Sequence, residues 1–211
     1  MSRKAQAKKK QTQEERVTLK IVQDDNPMNP RTEFSNLGTM ACWHRRSNLG
    51  DTKIDTARYA NGDDWLDQCV DKGSVVLPLY LYEHGGMTMS TGPFGDRWDS
   101  GQVGWIYCTP TAIMKEYSFK NKRQITDKIR EQVKSVLESE VKTYDHMLTG
   151  NVWGYVLEKH TKCECCGTEA TETIGSCWGF YGDELDGIGI EEHIPDEYRG
   201  LLQEAWENRG Q

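Results

Sequence analysis

The clearest pattern in the chain lies between residues 125 and 148. Ile125, Ile129, Val133, Val136, Leu137, Val141, Tyr144, Met147 and Leu148 recur at spacings of three and four, with charged residues between them. That spacing predicts one amphipathic helix over residues 124–149, and Gly150 supplies its stop. A second pattern has period two. Residues 17–22 (VTLKIV) alternate apolar and polar side chains and predict a strand. Residues 74–82 (SVVLPLYLY) predict a strongly apolar strand, with Pro78 marking an edge or a bulge. Gly85-Gly86 predicts a hairpin turn into a returning strand at 87–90.

Further strands are expected at 103–108, 152–159 and 169–177. Asn61 is placed to cap a short helix reaching about residue 70, and Thr109-Pro110 reads as a cap followed by a proline at the first helical position. Residues 196–208 predict a C-terminal helix with Leu201, Leu202, Ala205 and Trp206 inward. Hairpins dominate and no strand–helix–strand rhythm appears. The expected fold class is α+β: an antiparallel β-sheet with one long amphipathic helix on a face, plus a C-terminal helix.

Composition adds an asymmetry. Residues 1–16 contain no large aliphatic side chain after Met1 and hold five cations within the first ten positions. Such a segment cannot offset its ordering entropy by burial and is expected to be a disordered basic tail. Residues 17–211 are then expected to form a single domain, from length alone. Without those five cations, 21 basic residues face 33 acidic ones. An acidic body argues against a dedicated duplex-DNA binder, so nucleic acid is only weakly indicated as a partner. Seven cysteines, no apolar run of membrane-spanning length and no secretory leader point to a reducing compartment, the cytosol.

Three clusters carry candidate chemistry. His44, Arg45 and Arg46, with Asp51 five residues on, suit an anion, because each guanidinium offers a planar fork of donors beside a titratable ring. The alternative is a structural ion-pair cluster in which an arginine pairs with Asp51 or another carboxylate. Asp99 and Gln102, in the segment Trp98–Gln102, offer a base or metal ligand and an orienting amide. The bland reading is a tight turn with Trp98 as a lid on the core. Glu83 and His84 can join either site. Cys163 and Cys166 have the spacing of a zinc knuckle followed by Gly167. A structural zinc needs further ligands, and His160, Cys165 and Cys177 are the available ones; a metal-free reduced hairpin is the alternative. Trp178, Phe180 and Tyr181 read as core packing or as a base-stacking surface. No nucleophile elbow and no phosphate-binding glycine loop is present.

The stretches NLGTMACWHRR with NLGD (36–51), LPLYLYEHGG (77–86), WDSGQVGWIY (98–107), VKTYDHMLTGNVWGYV (141–156) and SCWGFYGD (176–183) resemble an uncharacterised family of small proteins from bacteriophages, prophages and mobile elements. The resemblance implies an accessory role inside a bacterial host cell, with no defined activity. The function expected on this basis is a non-catalytic binding protein that engages a host protein or a small anionic ligand, in the manner of an anti-defence factor. The alternatives are an enzyme acting on a phosphorylated or nucleotide substrate and a nucleic-acid-binding module.

Overall fold

The computed structural model of the chain describes residues 14–163 and 166–210. In chain order the elements are β1 (Glu14–Gln23), α1 (Pro30–Glu33), β2 (Thr39–Cys42), β3 (Thr52–Lys53), α2 (Gly62–Cys69), β4 (Val75–Glu83), β5 (Met87–Ser90) and β6 (Ser100–Cys108). They continue with α3 (Pro110–Glu116), α4 (Asp127–Thr149), β7 (Val152–Lys162), β8 (Glu169–Tyr181), α5 (Ile190–His193) and α6 (Leu202–Glu207). The fold is α+β, with antiparallel sheets, one long helix and a C-terminal helix. Among the described residues no helix is long and apolar enough to cross a membrane.

Length suggests one domain and the run of hairpins suggests one sheet; the chain divides into two compact units, each with its own sheet. The first joins the segment ending at Asp24 to the segment from Val152 onward. Its sheet has the order β1-β7-β8, antiparallel throughout. Leu19, Ile21, Tyr155, Leu157 and Phe180 from the sheet bury against Ile190, Ile194, Leu202 and Trp206. β1 begins at Glu14, so residues 14–16 belong to a strand and not to the expected tail, while residues 1–13 lie outside the described residues. The C-terminal helix also differs from expectation: a 3-10 turn spans Asp196–Leu201 before α6 begins.

The second unit, Asp25–Asn151, carries the candidate site. Its sheet has the order β3-β2-β6-β4-β5, antiparallel except for the short parallel pairing of β2 with β3. Thr126 caps α4 by accepting from the Ile129 amide, and Gly150 ends it in the left-handed conformation at φ 75°. Val133, Leu137, Val141 and Tyr144 bury one face of α4 against Met40, Leu79, Leu81, Met89 and Ile106 of the sheet. Each fully buried aliphatic side chain there contributes about 1.5–3 kcal/mol. Val136 breaks the expected stripe and is 38% exposed. It lies three residues past Val133, beside the buried stripe, as the 3.6-residue turn allows.

The opposite face of this sheet is covered by α2, with Trp65 packed beside Ala41, Ile54 and Tyr107. Asn61 caps α2 as the sequence predicts. Pro78 sits within β4, which is flanked by β6 and β5. β5 pairs only with residues 80–83, so no ladder bond is asked of Pro78 on that side, and the register shifts between Leu79 and Tyr80. The reading of Pro78 as an edge or bulge marker therefore holds locally.

Candidate functional site

β2 ends at Cys42, and the chain turns outward through Trp43, His44, Arg45 and Arg46 before returning to β3. The Trp43 amide still donates to the Val103 carbonyl, at 2.7 Å, which pins the start of this loop to β6. Gly62, the first residue of α2, packs on the Trp43 ring: a Cβ there would fall 2.6 Å from the indole. A glycine at this position therefore sets the Trp43 ring as a wall.

That wall borders an open cavity of about 680 Å³ lined by Trp43, His44, Arg45, Arg46, Lys53 and Glu83, among others. A second cavity of about 280 Å³ shares His44, Arg46, Glu83 and Val103 with the first and adds Trp98, Asp99 and Gly101. The structure thus brings His44, Arg46 and Asp99 to one concave surface, although they come from two separate loops. Ile54, Leu81 and Val103 add apolar lining to these cavities.

Glu83 is the hub of the surface. Its Oε2 accepts from Arg46 Nη2 at 2.7 Å and faces His44 Nε2 at 3.5 Å. The Ser47 amide donates to His44 Nδ1 at 3.1 Å. That contact requires a lone pair on Nδ1, so the neutral ring carries its proton on Nε2, toward Glu83. The one lone pair of that ring is then taken by the Ser47 amide, so His44 in this arrangement has no free lone pair to act as a base or bind a metal. Arg46 uses only Nη2 on Glu83 and is 75% exposed, so Nε and Nη1 remain for a ligand. Among the described residues, Arg45 and Lys53 make no ion pair.

Asp51 does not belong to this surface. Its two oxygens accept from Arg31 Nε at 3.0 Å and Nη2 at 2.5 Å, and Oδ2 also accepts from the Met40 amide. Arg31 donates further to Asn36, to the Gly38 carbonyl and to Glu140, so all five of its N–H groups are used. Burial works against its charge. Hydrogen bonds and attraction from Asp51 and Glu140 outweigh burial and hold its pKa above the ordinary value. The expected neighbour of the arginine pair is therefore part of a structural knot, and its partner is Arg31, neither Arg45 nor Arg46.

Asp99 is held by His84 Nδ1 at 2.9 Å. Gln102 turns back to the Gly104 carbonyl at 3.3 Å and does not line either cavity. Trp98, expected as a lid on the core, is 96% exposed. The turn that carries it is fixed by Asp96, whose carboxylate accepts from the Asp99 and Trp98 amides and is thereby kept charged below the ordinary range. Cys42, two residues from His44, faces the core, and its thiol is pushed up to about 12 by burial and by the nearby Asp51 charge. A thiol so protonated is no nucleophile at neutral pH.

No family model, curated protein or solved structure matches this chain. What the surface can do rests on its own residues.

The cysteine turn lies in the other unit. Cys163 and Cys166 flank the β7–β8 turn, where the Gly167 amide donates to the Cys163 carbonyl at 2.7 Å. Cys165 lies outside the described residues. His160 is engaged on both nitrogens, by Thr18 at 2.8 Å and Thr171 at 3.2 Å. Cys177 pairs across from Tyr155, while Glu169 at the turn pairs with Lys162. At about 3.3 Å per residue, the strand between Glu169 and Cys177 carries that thiol far from Cys163. The aromatic run at the end of β8 divides: Phe180 is core, and Trp178 covers the backbone at Gly154.

One member of the surface has no signal in the sequence: Lys53 reaches it through the β2–β3 pairing, which sets it opposite Cys42. Glu83, which the sequence offers to either site, lines both cavities.

Proposed function

We propose that this chain is a non-catalytic binding protein that holds a small phosphate-bearing anion on the surface formed by Arg45, Arg46 and Lys53. The observation that carries this reading is the clustering of three cations around one cavity, against one carboxylate, in a chain of net charge −7. Two of those cations have no ion pair among the described residues. Fixed cations on a concave surface concentrate anions, and a guanidinium with two free edges matches phosphate oxygens. The engaged Nδ1 lone pair of His44 favours binding over catalysis. The resemblance to phage and mobile-element proteins supports an accessory role in a host cell, in which sequestering a ligand blunts a bacterial defence; engagement of a host protein is the companion reading.

Calorimetric titration of the full-length protein with inorganic phosphate tests this. The Arg45→Ala/Lys53→Ala double variant is expected to bind at least about tenfold more weakly, about 1.4 kcal/mol. Binding by the wild type should also weaken as salt rises, because mobile ions screen exposed charges. Wild-type affinity in the double variant would remove the proposal. Glu83→Gln deletes the one carboxylate lining the larger cavity and is expected to tighten phosphate binding about threefold, as for a partly exposed charge a few ångströms away. Arg46→Ala should melt within about 3 °C of the wild type, since an exposed ion pair contributes about 0–1 kcal/mol. A drop of about 10 °C would instead make Arg46 a structural residue.

A further inference from the structure

Trp98 is 96% exposed, and nothing in its own unit explains a bare indole there. Scattered surface aliphatics are ordinary, but a tryptophan offers the largest apolar face of any residue and is seldom left uncovered. The side chain is also not on a slack loop. Asp96 Oδ1 accepts from the Trp98 amide at 2.7 Å and from the Asp99 amide at 3.0 Å, and the Ser100 hydroxyl donates to the Asp96 carbonyl. The Asp99 carboxylate is tied to His84, whose ring neighbours Tyr82, and Tyr82 in turn neighbours Phe94. A fixed turn therefore presents the indole beside the cavity that it shares with His44 and Arg46. Gly101 lines the same cavity and has open space where a side chain would stand, which leaves room for a ring.

We infer that the anion held on this surface is the phosphate of a mononucleotide, and that its base stacks on Trp98. This rests on the anion-binding reading above and adds its ligand class. The chemistry is a division of labour between two adjoining cavities that share lining residues. Arg45, Arg46 and Lys53 meet the phosphate, and the indole meets a flat π-face at the other end, across the wall of His44 and Glu83 that the two cavities share. Every base has such a face, so stacking tolerates base identity. An inorganic anion or a simple sugar phosphate would leave the indole uncovered. Trp98 is thus a specificity-determining residue for an aromatic group attached to the anion.

Titrations of the full-length protein with adenosine monophosphate, ribose 5-phosphate and inorganic phosphate separate the two claims. The wild type is expected to bind adenosine monophosphate at least about tenfold more tightly than ribose 5-phosphate, the stacking contribution of one base. Trp98→Ala should erase that preference while leaving affinity for inorganic phosphate within about twofold, and Trp98→Phe should retain most of the preference. Equal affinity of the wild type for adenosine monophosphate and ribose 5-phosphate would overturn the nucleotide inference and leave the anion site standing. Failure of all three to bind would overturn both. A short oligonucleotide that binds at least tenfold more tightly than adenosine monophosphate would overturn the mononucleotide in favour of a single-stranded nucleic acid.

Discussion

Replacing Arg31 with methionine is expected to destabilise the second unit by about 3–5 kcal/mol, the usual cost of leaving a buried charge without its partner. The Arg31 side chain is 1% exposed, and Glu140 opposite it is 12% exposed. Methionine fills much of the volume but abandons two carboxylates and the Gly38 carbonyl at once. The damage extends to the backbone. Glu140 accepts from the Leu37 and Gly38 amides, and Asp51 from the Met40 amide, so these carboxylates hold the entry to β2. Arg31→Lys keeps the charge and loses the fork, and should fall between the two. The readout is a melt or a urea titration, with a midpoint lowered by about 10 °C or more for the methionine variant. A loss below about 1 kcal/mol would mean that the carboxylates find other partners or water.

A second large effect is expected in alkali. Burial pushes the Cys42 thiol from 9.0 up to about 12, and the Cys108 thiol up to about 11. Between those values the unfolded chain has lost protons that the folded chain keeps. The unfolded state binds fewer protons there, so stability falls as pH rises. The contribution is fully present below pH about 9 and is lost progressively above it, at about 1.4 kcal/mol per pH unit for each thiol. Burial raises Tyr107 and Tyr144 in the same direction. Urea titrations at pH 8, 9.5 and 10.5 on the wild type and Cys42→Ala isolate one thiol. The wild type should lose stability more steeply than the variant above pH 9; parallel curves would show that Cys42 is not buried as described.

How far the sequence carries depends on the range of the interaction. The long helix was legible because its apolar side chains recur within one turn of each other, from Ile129 to Tyr144. Asn61, Thr109 and Gly150 mark caps for the same local reason. Pairing across the chain was not legible. Period-two alternation tells which way Leu19 and Ile21 face, but not that β1 lies along β7 with Leu19 opposite Leu157. One sheet therefore became two.

The site divides the same way. His44, Arg45 and Arg46 stand out because they are adjacent. Arg31 looked like any loop residue, although Asn29-Pro30 carries the same cap-and-proline signature that was read at Thr109-Pro110. Its four partner residues come from as far away as Glu140, and no local pattern encodes them. Asp51 was assigned to the arginine pair by nearness in sequence, and the stronger, buried partner took it. The turn reading of Trp98–Gln102, with Trp98 as a lid on the core, holds for the turn and not for the indole, which is 96% exposed. The Asp96 turn that turns it outward depends on backbone geometry.

Amide chemical-shift mapping of the full-length protein with inorganic phosphate tests the location of the anion site most directly. Shifts are expected to saturate at Arg45, Arg46, Lys53 and Thr56, around the larger of the two cavities, and to shrink as salt rises. Shifts confined to the basic positions between Arg3 and Lys10, with the cavity residues unmoved, would contradict it.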